Sequence, residues 1–226
     1  MESTLAFVLH SRKYRDSSLI LEVMTRDEGR FGVVAKGVRR KRAYVPQQFV
    51  PLLLDAVGAG ELRTARGIEP AGPAFPLRGR GLMTALYVNE LLYRALGRYE
   101  AQPRVFDGYA TLLARLCEPK FDEWTLRQFE LALLEALGYG LDLLRDSAGE
   151  MVRAELDYRF IPAEGFRVMT GGEGARIPGR CLLSLASGEA SDEARGHARQ
   201  ISRQALRFLL GGREIRSREL FGASRV

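Results

Sequence analysis

The sequence predicts an α+β protein in which a small N-terminal β-barrel precedes a mainly helical domain with a β-hairpin excursion. Apolar residues alternate with period two over the first 70 residues, as in half-buried strands. A stretch with three prolines and several glycines follows at 70–81 and marks a boundary. Beyond it, apolar residues recur at helical spacing. We therefore predict domains at 1–76 and 77–226.

Five strands are predicted in the first domain, near 5–9, 19–23, 31–35, 48–60 and 61–69. The residues expected to share one face of a strand are Leu5, Phe7 and Leu9, then Leu19, Leu21 and Val23, then Phe31, Val33 and Ala35. The polar stretch 26–30 suits a hairpin, and Pro51 indicates an edge or a bulge in the fourth strand. Five short strands without an intervening helix favour an OB-fold barrel.

Four helices are predicted in the second domain, at 82–98, 104–117, 123–137 and 191–212. The first is apolar nearly all round, which is typical of a central helix. Asp122 and Ser191 suit the N-caps of the third and fourth helices. On the last helix, one apolar face is formed by Ala194, Ala198, Ile201, Ala205 and Phe208. The segment 146–184 differs, because strand-like runs flank "PAEG" at 162–165 and predict a β-hairpin.

Composition excludes several classes of protein. The chain of 226 residues is 46% hydrophobic, enough to bury a core. No uncharged apolar run reaches the roughly 18 residues that span a bilayer, and the start lacks the features of a signal peptide. A cytoplasmic location is therefore expected. Cys117 and Cys181 are too few and too isolated for a disulfide framework.

The sequence offers little material for catalysis. No phosphate-binding glycine motif is present, and the glycine-rich stretch 171–179 is more typical of an ordinary turn. His10 and His197 are the only imidazoles, and the carboxylates show no cluster suited to two metals. We expect neither an enzyme nor a bound metal or cofactor.

Positive charge is concentrated at the two ends of the chain. The net charge is +6 overall, made up of +4 over 1–70, −3 over 71–196 and +5 over 197–226. The segment 36–42 carries five cations and no acid: Lys36, Arg39, Arg40, Lys41 and Arg42. A basic loop on a small barrel suits a nucleic-acid backbone, although such a loop can also serve solubility alone. Lys13, Arg15 and Arg30 near other strand ends would extend the surface, and Phe31 and Tyr44 are candidates for base stacking unless Phe31 belongs to the core.

Two further sets of cations lie in the helical domain. Arg195, Arg199, Arg203 and Arg207 recur every four residues on the last helix. This stripe is a second candidate DNA contact, a solvated face, or a contact with the acidic middle of the chain itself. Arg127 is expected to be an exposed cation on the 123–137 helix, where it could meet an acidic peptide tail.

Four stretches in order resemble the RecO family of bacterial DNA repair proteins. They are "AFVLHSRKYRDSSLILEVMTRDEGRFGVVAKGVRRKR", "YVNELLYRAL", "RQFELALLEALGYG" and "GGREIRSRELF". The resemblance implies a recombination mediator of the RecFOR pathway rather than an enzyme, associated with the nucleoid. Such proteins bind single- and double-stranded DNA, anneal complementary strands and, with RecR, help RecA load on DNA coated by the single-stranded DNA-binding protein.

Residue roles carry over from this resemblance position by position. Lys36 and Arg39–Arg42 fall on the basic OB segment that contacts DNA, and Arg127 on a position that docks the acidic tail of the single-stranded DNA-binding protein. Some members bind zinc through four cysteines between the helices, but 146–180 contains none, so no zinc is expected there. The alternatives are an RNA-binding OB protein of translation or RNA processing and, from another class, a nuclease.

Overall fold

A computed structural model of the chain describes residues 3–40, 43–171, 174–188 and 190–223. Its contacts separate two compact units, one made of Met1–Phe121 with Ile215–Val226 and the other of Asp122–Glu214. The predicted domain boundary between residues 76 and 77, placed after the last barrel strand, stays a prediction. Among the helices that the structure describes, none combines the length and hydropathy that crossing a lipid bilayer requires.

The N-terminal strands form the predicted OB-fold barrel. They are β1 (Thr4–Tyr14), β2 (Ser18–Thr25), β3 (Gly29–Ala35), β4 (Leu52–Val57) and β5 (Leu62–Pro70). The barrel closes in the order β1-β2-β3-β5-β4, with β4 pairing back to β1. Only the β3–β5 pair is parallel among these strands. The fourth strand begins directly after Pro51 and is shorter than expected, since proline has no N–H for a strand ladder.

Residues 6–9 of the first strand are buried on both faces, which the alternation pattern alone did not show. Ala6 and Val8 point into the barrel with the predicted residues of β2 and β3. Phe7 is only 2% exposed but lies outside the barrel, where its ring packs against Phe106 and Tyr109 at centroid distances of 5.4 and 5.1 Å. Leu5 remains exposed. Of the residues predicted to share one face of β1, Phe7 thus lies on the outer face, which helices cover, while Ala6 and Val8 line the barrel.

The helices are α1 (Gly79–Ala95), α2 (Pro103–Leu116), α3 (Glu123–Ala136), α4 (Gly179–Ala186), α5 (Asp192–Leu209) and α6 (Leu220–Ala223), with a 3-10 helix at Arg216–Glu219. As predicted, the Asp122 and Ser191 side chains accept hydrogen bonds from Trp124 N and Ala194 N at the starts of α3 and α5. Helix α4 was missed, since the whole segment was assigned to the hairpin excursion.

A buried polar contact joins α1 and α2 to the barrel. Strand β1 has a bulge between Val8 and His10. Asn89 Nδ2 on α1 donates to the carbonyls of Val8 and Leu9 at 3.3 and 3.4 Å. The Tyr109 hydroxyl on α2 donates to Asn89 Oδ1. The Leu9 carbonyl, at the bulge, also accepts a hydrogen bond from Gln48 Nε2 at 2.6 Å, so this buried polar site is well satisfied.

The second unit contains the predicted hairpin. Strands β6 (Asp157–Ile161) and β7 (Gly165–Val168) pair across the "PAEG" turn, and a short β8 (Ile177–Pro178) pairs with β6. On the face predicted to be apolar, α5 buries all of the named residues except Phe208, which is 47% exposed. Phe208 instead meets Tyr139 edge-on at 6.2 Å.

The C-terminal segment is held to the first unit by a glutamate of α1. Glu90 Oε1 and Oε2 accept hydrogen bonds from Arg216 N and Ser217 N at 3.1 and 2.8 Å, at the start of the 3-10 helix. Partial burial acts to raise the pKa of Glu90, but the hydrogen bonds from Ser217, Arg216 and Arg94 outweigh it and lower that pKa. Glu90 therefore stabilises this segment in its ionised form.

We expect Glu90→Gln to lower the free energy of unfolding at pH 7 by about 1–2 kcal/mol, because charged hydrogen bonds are lost. The pKa of Glu90 is lowered by folding, so its contribution is present above the ordinary value of 4.5 and disappears as the pH falls through the folded-state value. Urea unfolding of both proteins between neutral and acidic pH measures this. Glu118→Gln, in an exposed pair with Arg115, is the control, and a pH-independent deficit would contradict the prediction.

Candidate nucleic-acid interface

One end of the barrel collects most of the predicted DNA-binding cations. Strand pairing places Lys13 of β1 opposite Leu19 of β2, and Leu19 opposite Ala35 of β3. The end of β1, the start of β2 and the end of β3 therefore meet at one edge. This pairing places Lys13 and Arg15 beside the segment that follows β3, although they are more than twenty residues away from it in sequence.

The segment after β3 is a fixed turn. Gly37 has a φ of +71°, a conformation that side chains with a Cβ rarely adopt. Arg40 N donates to the Gly37 carbonyl at 3.0 Å, and Arg39 N donates to the Ser17 carbonyl at 3.0 Å. Val38 packs against the barrel core. Anchoring the backbone and Val38 in this way leaves the cationic side chains on the outside.

The cations of this turn face solvent. Lys36, Arg39 and Arg40 are exposed, and in the part of the chain that the structure describes no carboxylate forms an ion pair with any of them. Arg39 Nη1 approaches the Arg15 carbonyl at 3.5 Å. Lys41 and Arg42 lie outside the described residues. Cations without protein counterions are the arrangement that phosphate binding needs.

A groove of about 240 Å³ runs beside this basic turn. The residues that line it include Lys36, Tyr44 and Arg66, together with Gly67 and Ile68 of β5. Tyr44 is 39% exposed, and the burial of the rest of its ring raises the pKa of the phenol, which stays protonated at neutral pH. The groove therefore offers two cations and one aromatic face, a combination suited to a nucleotide.

Two exposed arginines at this end were not predicted as site residues. Arg12 lies on β1 next to Lys13. Arg66 lies on β5, which runs parallel to β3 and therefore reaches the same barrel end. Arg66 also stands 3.6 Å from Asp55. The parallel β3–β5 pairing was the missing signal, since it is a tertiary contact that period-two alternation does not reveal.

Arg30 and Phe31 lie elsewhere. Arg30 pairs with Met24 near the opposite end of β3, and its guanidinium contacts Glu22 Oε2 at 2.8 Å with both side chains nearly buried. Its Nε also donates to the Leu96 carbonyl at the end of α1 at 3.0 Å. Phe31 is fully buried in the barrel core. This placement favours structural roles for both residues. A phosphate contact by Arg30 stays a prediction, and the position of its side chain does not support it.

Arg127 is not the exposed cation that was expected. Its side chain is 13% exposed and pairs with the fully buried Glu130, one helical turn away, at 2.6 Å. Its Nη1 also donates to Ser202 Oγ on α5 at 3.3 Å. The expectation of exposure is wrong because a buried acid at i+3 draws the guanidinium towards the contact between α3 and α5.

The arginine stripe of α5 divides into two parts. Arg195 Nη1 contacts Asp122 Oδ2 at 3.0 Å and the guanidinium lies 5.7 Å from the Trp124 ring, so it is engaged within its own unit. Arg199, Arg203 and Arg207 are exposed along the helix. The stripe therefore presents positive charge to solvent mainly over its C-terminal half.

Comparison with known proteins agrees with this architecture. The family model described as Recombination protein O N terminal matches residues 1–74, and Recombination protein O C terminal matches residues 78–219. The chain belongs to the RecO family. The DNA repair protein RecO of Aliivibrio salmonicida is 40% identical over 95% of this chain and 93% of its own length. The DNA repair protein RecO of Halorhodospira halophila is 39% identical over 97% of this chain and 96% of its own length. The one from Alkalilimnicola ehrlichii is 43% identical over 96% and 89%.

Membership of the RecO family covers both the barrel and the helical region. The break between the two family models, at 74 and 78, falls beside the end of β5 at Pro70. The basic turn lies inside the N-terminal match, and Arg127 with the stripe of α5 inside the C-terminal match. The two candidate surfaces therefore lie in different parts of the family's sequence.

We expect Arg30→Ala to lower the free energy of unfolding by about 2–3 kcal/mol, because it leaves the nearly buried Glu22 with Arg98 as its remaining partner. Arg40→Ala, at an exposed position, should change it by less than about 0.5 kcal/mol. Urea unfolding followed by far-ultraviolet circular dichroism compares the two. Equal stability of both variants would show that the Arg30–Glu22 pair is not structural.

Proposed function

We propose that the chain is a DNA repair and recombination mediator that binds single- and double-stranded DNA at the basic end of its barrel. The observation that best supports this proposal is the anchored turn of Lys36, Arg39 and Arg40, whose exposed cations form no ion pair with any carboxylate among the described residues. Membership of the RecO family supports a role in DNA repair and recombination. The finer steps, annealing and RecA loading with RecR, are part of the proposal.

Annealing follows from charge neutralisation. Two DNA strands repel each other through their phosphates, and a surface that neutralises phosphates on both lowers this barrier. Contacts to phosphate fix the position of a strand and carry no sequence information. Binding through the basic turn should therefore be insensitive to sequence and steeply dependent on salt.

The groove beside the turn adds a second element. An aromatic face stacks on any base, at about 1–3 kcal/mol per base. In the proposed complex Lys36 and Arg66 hold the backbone while Tyr44 stacks on one unpaired base. This arrangement favours single strands at the groove, since the bases of a duplex are not open to stacking.

We expect the double variant Arg39→Ala/Arg40→Ala to bind single-stranded oligonucleotides more weakly at low salt. Its slope of log affinity against log salt should be less steep by about 1.4, because two phosphate contacts are lost at about 0.7 each. Fluorescence anisotropy over a salt series measures both quantities.

The charge-matched control is Arg104→Ala/Arg115→Ala, two exposed arginines of α2 in the same unit. It should keep the wild-type slope. A third variant, Arg199→Ala/Arg207→Ala, tests the stripe of α5 as a second DNA contact. If the α2 control lost as much slope as the turn variant, general charge rather than the basic turn would account for binding.

We also propose that the acidic tail of the single-stranded DNA-binding protein docks at Arg127. Because Arg127 is held by Glu130 and Ser202, docking requires the tail to displace or share these contacts. We expect Arg127→Ala to anneal bare strands normally and to fail on coated strands. Strand annealing with complementary oligonucleotides, with and without the coating protein, makes the measurement.

Ser202→Ala is the matched control, since it removes the hydrogen bond to Arg127 and keeps the charge. It should anneal coated strands as the wild type does. Loss of coated-strand annealing in both variants would mean that disturbed packing of α3 against α5, rather than tail docking, explains the Arg127 effect.

The RNA-binding alternative uses the same barrel end, and competition between DNA and RNA oligonucleotides of one sequence distinguishes the two. Tighter binding of RNA together with a failure to anneal DNA would favour it. The nuclease alternative predicts cleavage of labelled DNA with Mg²⁺ at sub-stoichiometric protein.

A further inference from the structure

The second unit brings together three side chains that commonly bind metals. Glu193 and His197 are four residues apart on α5 and therefore share one face of that helix. Cys181 lies on α4, which packs against α5. The Cys181 sulfur, a Glu193 carboxylate oxygen and a His197 ring nitrogen all lie within 4.8 Å of one another.

These distances suit one ion. Zn²⁺ binds thiolate at about 2.3 Å and imidazole or carboxylate at about 2.0–2.2 Å, so tetrahedral ligand atoms stand roughly 3–4 Å apart. The observed separations, all within 4.8 Å, exceed this spacing by about 1 Å at most. A thiolate, an imidazole and a carboxylate are also the ligand types that Zn²⁺ prefers.

Burial is graded across the cluster. Cys181 is 1% exposed, His197 is partly buried and Glu193 is exposed. An ion would enter from the Glu193 side and meet the sulfur at the bottom of the site. Three protein ligands leave a fourth position for water, on the open side.

The neighbouring charge is compatible with a cation. Glu193 Oε1 contacts Arg180 Nη2 at 2.8 Å, and both side chains are at least half exposed. Exposed ion pairs of this kind contribute little, at about 0–1 kcal/mol. The flexible Arg180 side chain can therefore turn into solvent when a metal takes the carboxylate.

We propose that Cys181, Glu193 and His197 form a binding site for a divalent transition metal, with Zn²⁺ as the matching ion. The metal cross-links α4 to α5, and its binding releases the thiol proton to solvent. The expectation that no metal binds rested on the presence of only two histidines and on the lack of cysteines at 146–180. The site proposed here draws instead on residues of two helices outside that stretch.

Co²⁺ replaces Zn²⁺ in such sites and reports thiolate ligation by a near-ultraviolet charge-transfer band. The purified full chain, stripped of metal, is titrated with Co²⁺ alone while absorbance is recorded. We expect one Co²⁺ per chain, with a thiolate band and the visible bands of tetrahedral geometry. Absence of a thiolate band in the wild type would overturn the proposal.

The chain provides matched controls, since it has two cysteines and two histidines. Cys181→Ser should abolish the thiolate band, and Glu193→Gln and His197→Gln should each weaken Co²⁺ binding at least about tenfold. Cys117→Ser and His10→Gln should bind as the wild type does. A band that survives Cys181→Ser, or that Cys117→Ser removes, would contradict the assignment.

Glu193→Gln and His197→Gln alter partly exposed positions, so they test the site even if Cys181→Ser fails to fold. Arg180→Ala tests the site in the opposite direction, because it removes the cation that competes with the metal for the Glu193 carboxylate. We expect Co²⁺ to bind this variant as tightly as the wild type or up to about fivefold more tightly, the range of an exposed pair. Weaker binding would show that Arg180 does not compete with the metal for Glu193 and would count against Glu193 as a ligand.

Discussion

The first unit depends on the contact of Asn89 with the bulge of β1. A bulge leaves carbonyls outside the strand ladder, and here Asn89 donates to those of Val8 and Leu9 while Tyr109 donates to Asn89. Gln48 Nε2 also donates to the Leu9 carbonyl at 2.6 Å, and a polar group left unsatisfied at such a buried site would cost about 1–3 kcal/mol. The bonds thus fix where α1 and α2 lie on the barrel, and Phe7 packs beneath them.

The two ends of the barrel differ in whether their arginines are neutralised. At one end Glu22 holds Arg30 and Arg98, so positive charge is neutralised inside the unit. At the other end Arg39 and Arg40 have backbone anchors and no described counterion. Neutralised arginines stabilise the fold, whereas exposed ones keep the electrostatic energy that phosphate binding uses. Within the described residues, the basic turn is therefore set apart as much by its lack of carboxylate partners as by its cations.

In the second unit, Arg127 is likewise neutralised within the protein, whereas the C-terminal arginines of the α5 stripe are exposed. Arg127 is tied to Glu130 and Ser202, so a partner that uses it must compete with the protein itself. Arg199 and Arg207 stand on the exposed side of α5. A tail-docking role for Arg127 would couple partner binding to the packing of α3 against α5. The proposed metal site would instead link α5 to α4.

The sequence alone determined the strands of the barrel, the caps at Asp122 and Ser191, the hairpin, and the basic character of 36–42. These follow from local periodicity and side-chain chemistry, which act over a few residues. The tertiary structure decided which face of β1 lines the barrel, which arginines are neutralised, and that Cys181, Glu193 and His197 meet. Such facts depend on pairs of residues far apart along the chain, and no local pattern encodes the distance between them.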